Sequence, residues 1–163
     1  QEGGENKVNK IQLDEYDKKI VRLLQQDSSI SNIDLSKKIG LAPSSCLLRV
    51  KNLKEQKVLK QFTAIVDEKL LGYEIICFAK VYMQPLNRDT SAQFISQVHQ
   101  IPEITECYTI TGEASFLLKI VAKNFEYYRN LVFDKVLSLP FVSNIDTSIV
   151  VSAEKNTNAI PME

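Results

Sequence analysis

The sequence is poor in the residues that build metal centres and covalent frameworks. It holds one histidine, His99, and three cysteines, Cys46, Cys77 and Cys107, an odd number with no Cys-x-x-Cys pair. A disulfide framework and a Cys/His zinc cluster are both excluded on that count, and the thiols read as reduced core or near-core residues. Long apolar runs are missing as well. The longest, Ile75 to Ala79, falls far short of the roughly 20 residues that cross a bilayer, and no secretory n-region, h-region and cleavage pattern opens the sequence. A cytoplasmic location without membrane partners is expected. There is no Gly-x-x-x-x-Gly-Lys phosphate loop, acids do not cluster in the strand-like segments, and His99 reads as a surface or rim residue. No catalytic constellation can be assembled, so neither an enzyme nor a cofactor is expected. Net charge is lacking too, since 20 Lys and Arg balance 20 Asp and Glu.

What is there fits a folded chain. A length of 163 residues suits one large domain or two small ones, and 44% hydrophobic with 25% charged residues excludes wholesale disorder. The charge is zero only in sum: residues 1–66 carry +4 and residues 67–163 carry −4. Between Lys37 and Lys60 the bases Lys37, Lys38, Arg49, Lys51, Lys54, Lys57 and Lys60 face one acid, Glu55, which suggests a polyanion-binding patch.

Residues 1–12 read as a flexible tail. From Leu13 the spacing of Tyr16, Ile20, Leu23 and Leu24 predicts a helix with Asp14 and Glu15 in its first turn. Ser31 can cap a second helix over 32–39, with Asp34 as a capping-box-like acid and Gly40 ending it. The turn Gly40-Leu41-Ala42 leads to Pro43 at a first helical position and a third helix to about Lys57, making a helix-turn-helix unit. At about 100° per residue, Cys46, Leu47, Val50 and Leu53 form the expected core stripe of that helix. Ser44, Ser45, Leu48 and Asn52 lie opposite, with Arg49 and Lys51 flanking. Hydroxyls, an amide, a guanidinium and a methyl-bearing side chain match what base edges offer in a major groove.

Val58 to Val66 is β-like and 67–72 a connector, which puts a domain boundary after residue 66. Beyond it the predicted order is strand 75–83, helix 90–100, strand 104–110, strand 116–122, helix 125–139 and strand 142–151. That βαββαβ order is the ferredoxin-like arrangement, a four-stranded antiparallel sheet with two helices on one face. The fold class is therefore α+β: a winged helix-turn-helix domain over 13–66 and a ferredoxin-like domain over 67–163. The uncovered sheet face suggests a homodimer packed sheet to sheet.

Four segments in register carry a resemblance. They are Leu13-Asp14-Glu15-Tyr16-Asp17, the run from Leu35 to Leu53, Tyr108-Thr109-Ile110-Thr111-Gly112, and Thr147 to Val151 followed by Lys155 to Pro161. Together they resemble the Lrp/AsnC family of transcription regulators over nearly the whole chain from Leu13. The resemblance implies dimers that bind double-stranded DNA, assemble further to octamers, and respond to a small amino-acid effector between dimers. It puts groove reading on Ser44, Ser45, Leu48 and Arg49, the face the helical wheel selects; Asn52 lies on the same face, and Lys37, Lys38, Lys51, Lys54 and Lys60 are expected at phosphates. The effector site is expected around Tyr108, Thr109, Thr111, Gly112, Glu113 and Ser115. Three departures stand out: Ala42 where many relatives have Ser, Leu48 where they have a base, and Ser115 where the family's Gly-x-x-Asp has its acid. With that acid gone, recognition falls to backbone groups and apolar neighbours, and leucine or methionine is the expected effector. The alternatives are an effector-independent architectural DNA binder and, further off, a decarboxylase-type enzyme of similar two-domain build.

Overall fold

A computed structural model describes residues 11–162; the first ten residues of the expected tail lie outside the described residues. The chain divides into two compact units, a helical one of residues up to 65 joined by 155–163, and a sheet unit of 66–154.

The helical unit holds α1 (Glu15–Gln26), α2 (Asn32–Ile39) and α3 (Pro43–Glu55). Each start has a local cause. Asp14 caps α1 in a complete capping box with Asp17, and the Ser31 hydroxyl caps α2 by accepting from the Asp34 amide. Gly40 ends α2 at φ 76°, a left-handed conformation that glycine adopts without Cβ strain. α3 opens at Pro43 behind Ala42, which supplies no side-chain cap. Instead the Asn32 amide donates to the Pro43 carbonyl at 2.9 Å, tying the start of α2 to the start of α3. Ile20, Val21, Leu24, Leu35, Ile39, Cys46 and Leu53 make one buried cluster, with Val50 partly buried against it.

Several expectations are corrected here. Leu47 was expected in the core but is 60% exposed, because the buried row of α3 runs through Cys46, Val50 and Leu53. Residues 58–66 form no strand: Val58 and Leu59 bend back and pack on the helical core, and 60–66 are exposed, with no strand pairing among the described residues. The last residues, expected with the sheet domain, lie with the helices. The Gln25 amide both donates to the Ile160 carbonyl at 3.1 Å and accepts from its N–H at 2.6 Å, Arg22 donates to the Met162 carbonyl at 3.3 Å, and Met162 packs on the helical core.

The sheet unit runs β1 (Ile75–Met83), α4 (Arg88–Val98), β2 (Ile104–Thr109), β3 (Phe116–Ala122), α5 (Phe125–Leu131) and β4 (Val142–Ile149). The sheet order is β2-β3-β1-β4 with every pair antiparallel, the ferredoxin-like topology. Alternate residues of β1 and β3, Cys77, Ala79, Val81, Phe116, Leu118 and Ile120, are buried together with Phe94 of α4 and Val132 and Val136 beyond α5. Phe94 stacks on Phe116 with ring centroids 4.6 Å apart. The helix expected as one piece over 125–139 is α-helical only to Leu131 and continues as a π-helical turn, Val132–Val136. The wider turn closes with the Leu137 N–H on the Val132 carbonyl at 2.8 Å and keeps Leu131, Val132 and Val136 all buried. Phe125, expected inward, is 59% exposed. All three thiols are free; burial raises Cys46 and Cys107 and pushes Cys77 up to about 11, so they are protonated packing residues.

Candidate nucleic-acid interface and effector turn

On α3 the side chains of Ser44, Ser45, Leu48 and Asn52 are exposed, and Leu47 joins them. This face ends in small hydroxyls at its N-terminal part, where the helix backbone can approach a base edge closely. Lys37 and Lys38, in the last turn of α2, and Lys51, Lys54 and Lys60 are exposed as well. Two of these lysines have neighbours. Lys51 lies 3.8 Å from the Glu55 carboxylate one turn on, and the Lys54 ammonium sits 4.2 Å above the Phe62 ring. Both contacts are at the surface, where an ion pair or a cation–ring contact contributes little and exchanges readily for a phosphate.

Arg49 is placed otherwise than the sequence suggested. Its Nη1 donates to Asp14 Oδ2 at 2.7 Å and to Asp17 Oδ1 at 2.9 Å, and its guanidinium carbon lies 5.4 Å from the centre of the Tyr16 ring. The guanidinium belongs to the α1–α3 contact, not to the outward face. The backbone N–H of Asp17, followed by Arg49, holds the Asp14 carboxyl below its usual range, and the two carboxylates raise Arg49.

The second group of expected residues meets at the turn between β2 and β3. Thr109, Thr111, Gly112 and Glu113 are exposed, and Gly112 takes φ 112°, a backbone conformation that side chains other than glycine rarely adopt. The turn is anchored at its far end: the Ser115 N–H donates to Val81 at 2.8 Å, and the Ile110 N–H to Ser115 at 3.2 Å. Ser115 is only 6% exposed, so the residue expected to replace the family's acid at the surface is enclosed by its own sheet. Tyr108 is 51% exposed, and its hydroxyl donates to Glu106 Oε2 at 2.6 Å, which raises the phenol and lowers the carboxyl. Lys119 Nζ donates to the other oxygen of Glu106 at 3.3 Å. Glu106 and Lys119 were missed as neighbours of this site. The signal was available in the period-two spacing of Glu106 and Tyr108, though the cross-strand pairing of Glu106 with Lys119 needs the register.

Among the described residues, no group of three or more His, Cys, Asp or Glu side chains is placed to hold a metal ion, and no helix is long and apolar enough to cross a membrane.

A helix-turn-helix unit joined to a ferredoxin-like unit defines a two-domain regulator class, and comparison with known proteins narrows it. A winged helix-turn-helix DNA-binding model matches residues 13–60, and an Lrp/AsnC ligand-binding-domain model matches residues 76–160. The transcriptional regulator AzlB of Bacillus subtilis is 52% identical over 153 residues, which is 94% of this chain and 98% of that protein. The leucine-responsive regulatory protein of Escherichia coli K12 is 33% identical over 148 residues, 91% of this chain and 90% of its own. Among solved structures, a transcriptional regulator from Neisseria meningitidis in complex with L-Met superposes with a TM-score of 0.88 at 29% identity, over 92% of this chain and 97% of that one. The chain belongs to the Lrp/AsnC family of DNA-binding transcriptional regulators, and the relatives it matches are regulators, not enzymes.

Proposed function

We propose that this regulator acts in the cytoplasm as a dimer or a multiple of it, reads duplex DNA through α3, and responds to a hydrophobic amino acid such as leucine or methionine. The observation that carries the DNA reading is the outward face of α3. Ser44, Ser45, Leu48 and Asn52 are exposed on it, and Lys37, Lys38, Lys51, Lys54 and Lys60 are exposed around it in a half of the chain that carries +4. A single helix of 13 residues covers too little groove for specific binding, so two units per site are required. Leu48 contacts a thymine methyl on this reading, giving an A·T preference at one position of each half-site.

The effector site is the turn from Thr109 to Glu113 with Tyr108 beside it, at a junction between dimers in a larger assembly such as an octamer. What supports it is the exposed turn backbone at Gly112 and the ligand-binding-domain match, together with the L-Met held by the Neisseria relative. With Ser115 buried, Glu113 is the carboxylate of the turn left to meet an ammonium group. Effector binding and assembly are then linked, each shifting the other by the same coupling free energy. The missing surface acid also favours a second reading, an architectural DNA binder without effector response. Native mass spectrometry with L-leucine and L-methionine separates the two: retention of either ligand with a change of assembly supports the effector reading, and neither ligand with an unchanged assembly leaves the architectural one.

A further inference from the structure

We propose that Arg49 is a positioning residue of the recognition helix, setting the rotation of α3 about its own axis by holding the Asp14 and Asp17 carboxylates, and touching no base. The inference rests on the reading of α3 as the DNA-contacting helix.

The apolar grip on α3 is thin. Cys46 and Leu53 are fully buried and Val50 partly so, while Leu47 and Leu48 are 60% and 59% exposed. A helix with exposed leucines beside its buried row can roll by a fraction of a turn and bury one of them instead, at little hydrophobic cost. Its start is tied to α2 by a single hydrogen bond, Asn32 on the Pro43 carbonyl, which restrains a roll at one point only. Arg49 supplies what is missing. It sits three residues after Cys46 and four before Leu53, on the row that faces the rest of the unit. Both of its carboxylate partners are themselves held. Asp14 accepts the Asp17 N–H at 2.8 Å while Asp17 accepts the Asp14 N–H at 3.4 Å, so the two acids are fixed by the capping box before Arg49 arrives. One nitrogen reaching two preset oxygens, with Tyr16 beside the guanidinium, admits a narrow range of helix rotations.

Electrostatics argue the same way. The charge of the guanidinium is already met by two carboxylates at 2.7 and 2.9 Å, so a phosphate would have to displace them to reach it. Rotation matters to function because the base-facing set, Ser44, Ser45, Leu48 and Asn52, spans one narrow sector of the helix. A roll of one residue's worth, about 100°, would bring Leu47 and Lys51 to the groove in place of Leu48 and Asn52.

The test uses the full-length protein and an operator selected in vitro by the wild type. Its variants are Arg49→Lys, Arg49→Ala, Asp14→Asn with Asp17→Asn, and that pair combined with Arg49→Ala. Affinity for operator and for scrambled DNA is measured at one salt concentration, and site selection is repeated for each variant. The paired asparagine variant, altered only where no base is touched, is expected to lose roughly fivefold to tenfold in the ratio of operator to scrambled affinity, spread over all positions of the half-site. Adding Arg49→Ala should then cost nothing more. Arg49→Lys keeps the charge and the fold but not the planar fork, so it should show the same spread loss in part. A base-reading arginine gives the reverse: the asparagine pair frees the guanidinium and keeps or raises affinity, while Arg49→Ala and Arg49→Lys each erase one base position, and that result overturns the proposal. If the wild type selects no sequence at all, the DNA reading has failed and not the clasp. The clasp is then decided by thermal unfolding without DNA, where additive effects of the asparagine pair and Arg49→Ala overturn it and non-additive effects uphold it.

Discussion

Replacing Lys37 and Lys38 by glutamine should lower the salt dependence of DNA binding by a calculable amount. Both lie in the last turn of α2, are exposed, and have no carboxylate within ion-pair distance among the described residues, so their ammonium groups are available to phosphates without first breaking a contact. Each phosphate neutralised contributes roughly 0.9 to the slope of log K against log salt. Lys37, Lys38 and Lys60 give three contacts per protomer, and Lys51 and Lys54 raise that to five if the Glu55 and Phe62 contacts are exchanged for phosphates. A dimer is then expected to show a slope between about −5 and −9, and the double substitution should bring it closer to zero by about 3.6. Fluorescence anisotropy of a labelled operator, titrated with potassium chloride, measures both slopes. The loss should be the same on scrambled DNA, because phosphate contacts carry no sequence information. An unchanged slope in the double variant refutes the placement of these lysines on DNA, and a flat slope in the wild type refutes the interface.

Leu48→Ser should remove one A·T position from each selected half-site and leave the other positions intact, whereas identical motifs from in vitro selection would show that Leu48 touches no base. Deleting residues 155–163 removes the Gln25 and Arg22 hydrogen bonds and the packing of Met162. After the entropy regained by the freed residues, about 1 to 2 kcal/mol of stability should go, read as faster amide exchange in α1 with β1 and β3 unaffected; unchanged protection of α1 would show that the segment is no part of the helical unit. The Asp14 carboxyl is held below its usual range, so its contribution is in place at neutral pH and is lost as pH falls through that lowered value. Wild type should therefore outlast Asp14→Asn at pH 7 in thermal unfolding by a gap that narrows as pH falls below the ordinary carboxylate range, and a constant gap would refute the assignment. Glu113→Ala should weaken retention of L-leucine and L-methionine in native mass spectrometry while sparing operator binding; undiminished retention would move the ammonium contact elsewhere.

The sequence was most legible where local chemistry decides the structure. Asn32–Ile39, Ile75–Met83 and Phe116–Ala122 fall at the residues read from Ser31 and Gly40 or from the apolar periods, because caps and the burial of both central strands leave little to choose. It was least legible where one side chain's partner lies far along the chain. The wheel put Arg49 about 40° from Leu53 and about 90° from the centre of the outward face, so its core-side position was already implicit; what drew it outward was its chemistry as a base reader. No local rule announces that Asp14, 35 residues earlier, would claim it. The same holds for Ser115, whose burial follows from the bond between its N–H and β1, and for the closing residues, which pack on α1 through Gln25, 135 residues away. The β-like 58–66 failed for the opposite reason: strand propensity was present and a partner strand was not.

The open face of the sheet also changes the argument for a dimer. The sequence suggested an apolar face seeking cover, yet the residues there are mixed. Phe78 is 38% exposed and Tyr108 is 51% exposed, while Lys80 pairs across the strands with Asp146 and Glu106 bonds Tyr108 and Lys119. Ile76, Tyr82, Leu117 and Val121 share that face and are half-buried, so apolar burial and charge pairing both bear on association there. A two-fold interface places one patch against its own copy, so the patch must carry both signs and the means to pair them. This face has Lys80 and Lys119 against Glu106 and Asp146 in adjacent rows, with aromatic rings between them. Such a surface suits an isologous contact whose specificity comes from charge and whose area comes from the rings. A copy of opposite register would set like charges together, which is the means by which a mixed face rejects the wrong pairing.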